Sequence, residues 1–328
     1  MRDFAYERAT DAASAVAAVD GDAMYLGGGT NLVDLMKLGV HAPARLVDVS
    51  RLSDDDRIEE LPDGGLRIGG AVRNSDLAVD PLVREPYPLL SQALLSGASG
   101  QLRNMATVAG NLLQRTRCAY FQDVSKPCNK RRPGSGCPAR EGDHRNLAIL
   151  GHSEACVATH PSDMAVAMAA IGAAVQVLGR GGARTIPLPG LHRLPGDDPQ
   201  RDTVLEPGDL ITAVELPALA FARRSTYRKV RDRASFSFAV ASIAAAVALD
   251  DDQTVRECRI AFGGLAHVPW RATRAEQVLR GAPATAQSFA AAADAELEQA
   301  RPLRDNAFKV PLAQNLLVGT LSDLCEAA

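Results

Sequence analysis

The sequence predicts an α+β protein made of two units, and three observations support this prediction. The chain has 328 residues, which is long enough for two or three domains with separate hydrophobic cores. Short apolar strand patterns alternate with helical patterns over the first part of the chain. The last third instead places strand-like runs before helix-like runs. We therefore expect a larger unit over residues 1–220 and a smaller one over residues 221–328.

Composition places the chain among ordinary globular proteins and argues against several functions. Hydrophobic residues make up 46%, charged residues 23%, and the formal net charge is −3, so no basic excess indicates a nucleic-acid partner. The longest apolar run, Phe238–Leu249, is too short to cross a bilayer, and the first residues lack an export pattern. We expect no membrane insertion and, by default, a cytoplasmic location. Clustered cysteines in that reducing compartment are more often metal or redox groups than disulfides.

The first unit begins with alternating strands and helices. AMYL predicts a strand, and NLVDLMKLG predicts a helix with Leu32, Leu35 and Met36 on one face and Gly39 after its end. RLVDVS and GLRIGGAV predict strands, and PYPLLSQALLSGA predicts a helix that starts near a proline. The GGGT sequence is therefore expected to connect a strand to a helix.

Periodicity disappears from Gln122 to His152 and then returns. A structureless segment of this length inside a compact domain is uncommon and usually functional. ACVAT then predicts a strand, Pro161–Ser162 the start of a helix, and AAVQVLG, RTIPL and DLITAVELP further strands. LHRLPGDDPQRD predicts an exposed loop. In the second unit STYRKVR, SFAVASIAAAVAL and TVRECRIAFGGL predict strands or a mixture of strand and helix, and RATRAEQVLRG, QSFAAAADAELEQA and VPLAQNLLVGTL predict helices.

The stretch YLGGGTNLVDL suits a phosphate-binding turn. Gly27, Gly28 and Gly29 allow unusual backbone angles and let a ligand approach the main chain. Thr30 and Asn31 can cap the following helix and can also donate to phosphate oxygens. A tight strand–helix connection without a ligand is an equally ordinary explanation for such a turn.

A Rossmann dinucleotide site is a tempting alternative for the same turn. Gly27 and Gly29 supply G-x-G, and Asp48 ends a strand about 20 residues further on. The third glycine of the G-x-G-x-x-G pattern, however, falls on Leu32. A leucine there would keep helix and strand apart, so we do not expect NAD binding.

Two other turns combine small and polar residues. ATVAGNLLQ contains Thr107, Gly110 and Asn111, and THPSD places Ser162 and Asp163 at a predicted helix start. Asp163 can accept a bond from a ribose hydroxyl or can simply complement the helix dipole. Three such turns without a nucleophile-elbow or Ser-His-Asp pattern favour an extended phosphate- and sugar-bearing cofactor over a hydrolase site.

Four stretches together make a family recognisable: LGGGTNLVDLMK, RNMATVAGNLLQRTRC, CVATHPSDMAVAM and YRKVRDRASFSFAVAS. Over nearly its whole length the chain resembles the FAD-binding (medium) subunit of the molybdenum hydroxylases, the xanthine dehydrogenase and aldehyde oxidoreductase family. It is most similar to bacterial aldehyde oxidoreductase subunits whose cysteine-bearing insertion holds a [4Fe–4S] cluster, and 4-hydroxybenzoyl-CoA reductase has a similar insertion. The resemblance implies a two-subdomain FAD-binding domain of vanillyl-alcohol-oxidase (PCMH) type, followed by a smaller α/β C-terminal domain.

The same resemblance implies roles for the three turns. The Leu26–Asn31 turn would hold the FAD pyrophosphate. Thr107, Gly110 and Asn111 would line the phosphate and ribityl path, and Asp163 would bind a ribose or ribityl hydroxyl.

Two more FAD contacts are implied outside these turns. Ile211 would pack near the cofactor, and Lys229 would lie beside the flavin, where a cation can stabilise anionic reduced flavin. Without the resemblance, Lys229 is an ordinary lysine on a strand edge.

Four of the six cysteines lie in or beside the irregular segment: Cys118, Cys128, Cys137 and Cys156. Nine, eight and eighteen residues separate them, which matches neither ferredoxin nor zinc-finger spacing. The residues alone leave open a metal or redox group, zinc, or unpaired thiols. The resemblance implies an insertion at about 116–156 whose four cysteines ligate a [4Fe–4S] cluster.

The fourth ligand is the least defined. Cys156 lies in the apolar stretch ACVAT and could be a buried structural cysteine, in which case His144 or His152 would replace it. Cys258 and Cys325 are expected to be core or terminal thiols. Six cations also lie in the segment and suit either the negative charge of a cluster, an acidic docking partner, or a solvated loop: Lys126, Lys130, Arg131, Arg132, Arg140 and Arg145.

These expectations combine into one functional hypothesis. The chain would carry electrons within a molybdenum hydroxylase that oxidises an aldehyde at a molybdopterin-binding large subunit. Electrons would reach FAD from a [2Fe–2S] small subunit and leave to an external acceptor. Co-export with a partner would make the location periplasmic instead. The alternatives are a xanthine dehydrogenase or hydroxybenzoyl-CoA reductase type of complex, a free-standing flavin oxidase, and a metal-stabilised scaffold without flavin.

Overall fold

The computed structural model of the protein describes residues 1–52 and 56–326. Three short strands near the N-terminus form a parallel sheet: β1 (Ala5–Arg8), β2 (Ala23–Leu26) and β3 (Arg45–Asp48). β3 lies in the middle and pairs with β1 on one side and β2 on the other. Two helices make the connections, α1 (Ala12–Ala18) and α2 (Leu32–Lys37). The glycine turn thus lies at the carboxyl ends of parallel strands, the edge where ligands commonly bind.

A second sheet has five antiparallel strands: β4 (Ile58–Glu60), β5 (Leu66–Gly69), β6 (Ala174–Gly179), β7 (Gly182–Pro187) and β8 (Leu210–Leu216). Their spatial order is β4-β5-β8-β6-β7. β8 is central, and its Val214 pairs with Ile68 on one side and Val175 on the other. These apolar side chains are fully buried, so this sheet forms one wall of the main core.

The remaining helices of the first unit are all short: α3 (Asn74–Val79), α4 (Pro81–Arg84), α5 (Pro88–Ser96), α6 (Gly100–Arg103), α7 (Val108–Leu112), α8 (Ala119–Gln122), α9 (Asp163–Ile171) and α10 (Leu188–Leu191). Of these, α7 and α10 pack on the wall that the second sheet forms. Every residue of α9 is buried. A helix that is apolar all round must be enclosed, and α9 packs on both α5 and the C-terminal strands. This packing fixes the position of Asp163, the first residue of the helix.

The C-terminal unit is a four-stranded antiparallel sheet backed by three helices. Its strands are β9 (Ser225–Val230), β10 (Ala241–Leu249), β11 (Val255–Gly263) and β12 (Trp270–Arg271), in the order β12-β11-β10-β9. The helices are α11 (Thr273–Leu279), α12 (Ala286–Leu297) and α13 (Lys309–Glu326). β10 is buried along nearly its whole length, because helices from both units cover its two faces.

Most sequence predictions of elements are confirmed, and two are wrong. The ACVAT stretch forms no strand; instead it bonds to the irregular segment, with the Ala148 amide donating to the Val157 carbonyl at 2.8 Å. The LHRLPGDDPQRD segment is not simply exposed, because Leu191 and His192 are buried. Among the described residues, no helix combines the length and apolar character needed to cross a membrane.

Candidate functional site

The glycine turn (residues 27–31) and a second turn (residues 105–111) pack against each other, with their main-chain atoms in contact. A Cβ on Gly28 would lie 1.8 Å from the Met105 carbonyl oxygen, and one on Gly27 would lie 2.9 Å from Thr107 Oγ1. Gly29 has φ +73°, a left-handed conformation that glycine adopts easily. Gly29 is therefore the glycine that positive φ requires, and Gly28 is the glycine that the close contact between the two turns requires.

Asn31 follows this turn and has a donor without a partner. Its Oδ1 accepts a hydrogen bond of 2.9 Å from the Arg115 amide, which fixes the orientation of the side chain. Its Nδ2 is buried and bonds to no group in the described part of the chain. Asn31 makes no side-chain cap to α2, contrary to the capping role considered from sequence. A buried amide without a partner is costly, so this donor suits a ligand oxygen.

The second turn is fixed by its own side chains. Thr107 caps α7 by accepting from the Gly110 amide at 3.2 Å. Asn111 Oδ1 accepts from the Ser162 hydroxyl at 2.5 Å and from Gln114 Nε2 at 2.8 Å. The Ser162 contact joins this turn to the start of α9, so the second and third turns found in the sequence meet in space.

The two turns separate two neighbouring cavities. The glycine-turn cavity, of about 320 Å³, is lined by residues 27–31 with Thr107, Gly110 and Ile211. The Asp163 cavity, of about 410 Å³, is lined by Asn111 and Asp163 among others. Thr30, Asn31 and Gly110 line both cavities. The arrangement suits a long ligand with a phosphate at the turns and a bulky group on each side.

Asp163 accepts hydrogen bonds on both carboxylate oxygens. Tyr227 donates to Oδ1 at 2.5 Å, and Lys229 Nζ donates to Oδ2 at 2.7 Å. Lys229 also donates to the Ser96 carbonyl at 3.1 Å. Burial, together with the neighbouring Asp163 charge, raises the pKa of Tyr227 well above its usual value, so this hydroxyl stays protonated and remains a donor.

These contacts change the expected position of two residues. Lys229 supports Asp163 from behind and does not line either cavity. Leu26 does not line them either; it packs beside Gly29. Sequence reasoning missed Tyr227, although its place two residues before Lys229 on one strand face was a usable signal.

Arg115 and His41 are further wall residues of the glycine-turn cavity that sequence reasoning missed. The Arg115 guanidinium lies 4.8 Å from the centre of the Phe121 ring, and its Nε donates to Asp202 at 2.7 Å. Burial, and then the nearby Arg115 charge, lower the pKa of His41 to about 4, so its ring is neutral at neutral pH. No local motif marks either residue, since both are placed by distant contacts.

The four clustered cysteines line a single small space, here called the cysteine pocket: Cys118, Cys128, Cys137 and Cys156. All are free thiols. His144 has both ring nitrogens engaged, with Nδ1 bonded to the Ala139 carbonyl at 3.1 Å and Nε2 accepting from the Asp305 amide at 3.0 Å. His152 lies elsewhere and bonds to the Arg301 carbonyl. The structure therefore groups Cys156 with the other three cysteines and groups neither histidine with them.

The donor set of the pocket suits a cluster, but the free space does not without rearrangement. The enclosed volume is about 10 Å³, so thiol side chains would have to rotate outward to admit an iron–sulfur cluster. Within residues 1–52 and 56–326, no three His, Cys, Asp or Glu side chains converge closely enough for one metal ion. Ligands of a four-iron cluster stand at its corners and need not converge on one point. Burial raises the pKa of Cys118 to about 11 and that of Cys156 to about 12, so metal binding would release their protons.

The C-terminal unit holds the segment that carries the four cysteines, residues 116–156 and here called the cysteine segment, in place. Asn306 is fully buried and donates to the carbonyls of His144, Leu147 and Ala148. Lys309, also fully buried, donates to the Leu147 carbonyl at 3.0 Å and to the Gly264 carbonyl at 2.8 Å. These bonds satisfy main-chain groups that an irregular buried segment cannot pair by itself.

Four of the six cations in the cysteine segment bond to other groups of the chain. Arg131 donates to three main-chain carbonyls, Arg140 pairs with Glu154, and Arg145 makes two bonds to Asp232. Lys130 is buried. Lys126 and Arg132 make no ion pair with another residue that the structure describes. Of these six cations only Lys130 is buried, and the other five are partly or fully exposed, as a docking or solvated loop requires.

A parallel sheet with a backbone-lined turn, a second antiparallel sheet and two adjacent cavities define a unit that binds an extended, phosphate-bearing cofactor. The comparison with protein families then gives the particular family. The chain belongs to the family of FAD binding domains in molybdopterin dehydrogenases, whose model matches residues 2–219, and residues 225–324 match the CO dehydrogenase flavoprotein C-terminal domain.

Individual relatives agree with this membership. The chain is 49% identical over 98% of its length to the aldehyde oxidoreductase FAD-binding subunit PaoB of Escherichia coli, also covering 98% of that protein. It is 25% identical to the glyceraldehyde dehydrogenase medium chain of Sulfolobus acidocaldarius, over 85% of this chain and 82% of that one. A solved carbon monoxide dehydrogenase from Hydrogenophaga pseudoflava superposes with a TM-score of 0.76 at 26% identity, covering 99% and 97% of the two chains. The chain is thus an oxidoreductase flavoprotein subunit, and FAD is its cofactor.

Proposed function

We propose that this chain is the FAD- and [4Fe–4S]-containing electron-transfer subunit of a molybdenum hydroxylase that oxidises aldehydes. One observation carries the proposal: four cysteines share one pocket in a chain 49% identical, end to end, to the FAD-binding subunit of an aldehyde oxidoreductase. Xanthine dehydrogenase subunits match at only 26%, which makes aldehydes the favoured substrate class.

FAD would occupy the two adjacent cavities, with residues 1–220 forming its unit and residues 221–328 the C-terminal unit. When bound, it supplies the exchange between one-electron and two-electron steps. Gly27, Gly28 and Gly29 would admit the pyrophosphate to the main chain, and the free Nδ2 of Asn31 would donate to it. Leu26 and Lys229 would contribute from behind the cavity walls, through Gly29 and Asp163. We propose these residues as the FAD-binding walls: Gly27, Gly28, Gly29, Thr30, Asn31, Thr107, Gly110, Asn111, Asp163 and Ile211.

Asp163 would act as the acceptor for a sugar or ribityl hydroxyl in the second cavity. Tyr227 and Lys229 hold its carboxylate from two sides, so its orientation is fixed before the cofactor arrives. A preorganised acceptor avoids the ordering cost that a mobile side chain would add to binding. Lys229 would also place a positive charge near the flavin through this contact.

Cys118, Cys128, Cys137 and Cys156 would hold the [4Fe–4S] cluster, which supplies one-electron transfer when present. The remaining parts of the enzyme would lie on partners, a molybdopterin-binding large subunit and a [2Fe–2S] small subunit. An external acceptor would receive the electrons. The role of this chain would be to position its cofactors and tune their potentials.

The relay role is tested by asking whether the chain oxidises aldehydes alone. The purified full-length chain, loaded with FAD and iron, should pass electrons from dithionite to a redox dye. It should not reduce the dye with any aromatic or aliphatic aldehyde until the large and small partners are added. Steady aldehyde-dependent turnover by the single chain would contradict the relay role and favour a free-standing flavin oxidase.

A further inference from the structure

Asp202 lies where three parts of the chain meet. Its Oδ2 accepts from Arg115 Nε at 2.7 Å, and its Oδ1 accepts from Lys130 Nζ. His267, from the C-terminal unit, has Nε2 3.4 Å from the same oxygen. The carboxylate thus joins a wall residue of the glycine-turn cavity to a residue of the cysteine segment.

Lys130 is an unusual member of this group because it is a buried cation with every proton engaged. Its side chain is 1% exposed. Besides Asp202, its ammonium donates to the Pro199 carbonyl at 2.7 Å and contacts His267 Nε2 at 2.9 Å. His267 Nδ1 bonds to the Ala158 carbonyl, which leaves Nε2 as the acceptor. Three protons and three acceptors fix Lys130, and through it Asp202, in one position.

Arg115 connects Asp202 to the glycine-turn cavity. Its guanidinium lines the glycine-turn cavity, and its main-chain amide holds the Asn31 side chain at 2.9 Å. Its guanidinium also lies over Phe121, in the helix that follows Cys118. The cysteine segment therefore touches Arg115 both directly and through the Lys130–Asp202 pair.

We propose that Asp202 is a positioning residue that couples the cysteine segment to the glycine-turn cavity. With Lys130 in place, Asp202 holds Arg115 against the cavity, so the folded state of the cysteine segment sets the affinity for FAD. The inference rests on the proposed FAD site but does not require a cluster in the pocket. Removal of either end of the Lys130–Asp202 pair should release Arg115 in the same way.

A double-mutant cycle on FAD affinity tests the coupling. The dissociation constant of FAD is measured by calorimetry on the deflavinated full-length chain. Asp202→Asn and Lys130→Met should each weaken binding about tenfold, an effect typical of residues in one charge network. The double variant should be no weaker than either single variant. Asp198→Asn, which removes an ion pair to Arg193 in the same segment, is the matched control and should bind FAD like the unmodified chain.

A charge-retaining substitution separates positioning from general destabilisation. Arg115→Lys keeps a cation that can reach Asp202 and should retain affinity within about threefold, whereas Arg115→Met should lose about tenfold. Thermal unfolding of the FAD-free variants identifies any that fail to fold, and the Arg115 pair still decides the question if Asp202→Asn is one of them. Equal losses in both Arg115 variants would assign the effect to packing on Phe121 and overturn the proposal.

Losses that add in the double variant, or unchanged affinity in both single variants, would also overturn the coupling. Iron per chain is measured on the same unmodified protein. A chain that binds FAD but no iron would defeat the proposed cluster, while the cycle would still report on the coupling because it measures FAD alone.

Discussion

The glycine-turn cavity and the cysteine pocket lie next to each other but differ in the contacts that form them. Each turn of the cavity is shaped by local bonds, such as the Thr107–Gly110 bond that spans three residues. The Ser162–Asn111 and Arg115–Asn31 bonds that join the turns span 51 and 84 residues. The cysteine pocket lies in a segment with little regular structure, and the Asn306–His144 bond that holds it spans 162 residues. The difference teaches that short motifs can specify the turns of one site, whereas the other site depends on long-range support throughout.

Loss of a cysteine ligand should give the largest effect, because four thiolates act as a set. Cys128→Ser and Cys137→Ser should each remove nearly all iron and the [4Fe–4S] spectrum. FAD should remain bound when it is supplied in excess, since the glycine turns do not contain these residues. Iron analysis and electron paramagnetic resonance measure the result.

Cys325→Ser is the control for those variants, because Cys325 is also a free thiol but lies at the end of α13. It should keep full iron. Unchanged iron in both Cys128→Ser and Cys137→Ser would remove these residues as ligands and erase the contrast between the two regions.

The next largest effect is expected at the glycine turn. In Gly28→Val, the new Cβ would collide with the Met105 carbonyl and push the two turns apart. Overpacking costs roughly 1–3 kcal/mol, so FAD affinity should fall about 10- to 100-fold, measured by titration. Gly190→Val, at a glycine with open space around it, is the control. Full FAD retention by folded Gly28→Val would make the turn a structural connection only.

Lys309 should give a smaller, pH-dependent effect. Burial, and then Arg145, lower the pKa of Lys309 from 10.5 to about 7, against a raising effect of Asp232. Between these pH values the unfolded chain binds more protons than the folded one, so stability should rise with pH. From pH 7 to 8, the unmodified chain should gain about 1 kcal/mol relative to Lys309→Met. From pH 6 to 7 the change should be smaller, about 0.4 kcal/mol, and it should vanish at lower pH.

Denaturant unfolding at pH 6, 7 and 8 checks this sign and size. Lys37→Met, at an exposed lysine, should show no such change. A stability difference between the unmodified chain and Lys309→Met that is flat or falls from pH 7 to 8 would contradict a neutral Lys309 amine in the folded chain.

The sequence predicted the parts of the molecule that local pattern controls. The strand, glycine turn and helix from Ala23 to Lys37 were predicted correctly, as were the helix after Ser162 and the three helices of the C-terminal unit. The four cysteines could be named as a set from composition and resemblance. All of these depend on residues close together in the chain, where periodicity and turn chemistry are informative.

Long-range support could not be predicted in this way. Asp202 lies in a segment predicted to be an exposed loop, yet it joins Arg115 and Lys130 across 87 and 72 residues. Nothing in the neighbourhood of Asn306 or Lys309 marks them as partners of the cysteine segment. The position of Lys229 behind Asp163 likewise follows from how β9 packs on α5 beside the start of α9, which no local pattern specifies.

The central claim is that one chain carries both FAD and a four-iron cluster, and one measurement tests it directly. Iron, acid-labile sulfide, FAD and the visible spectrum are determined together on the full-length protein purified without oxygen. The account predicts about one FAD and about four irons per chain, with flavin bands on broad iron–sulfur absorption. Flavin bands without iron would contradict the cluster, and the absence of both would leave a scaffold subunit as the better description.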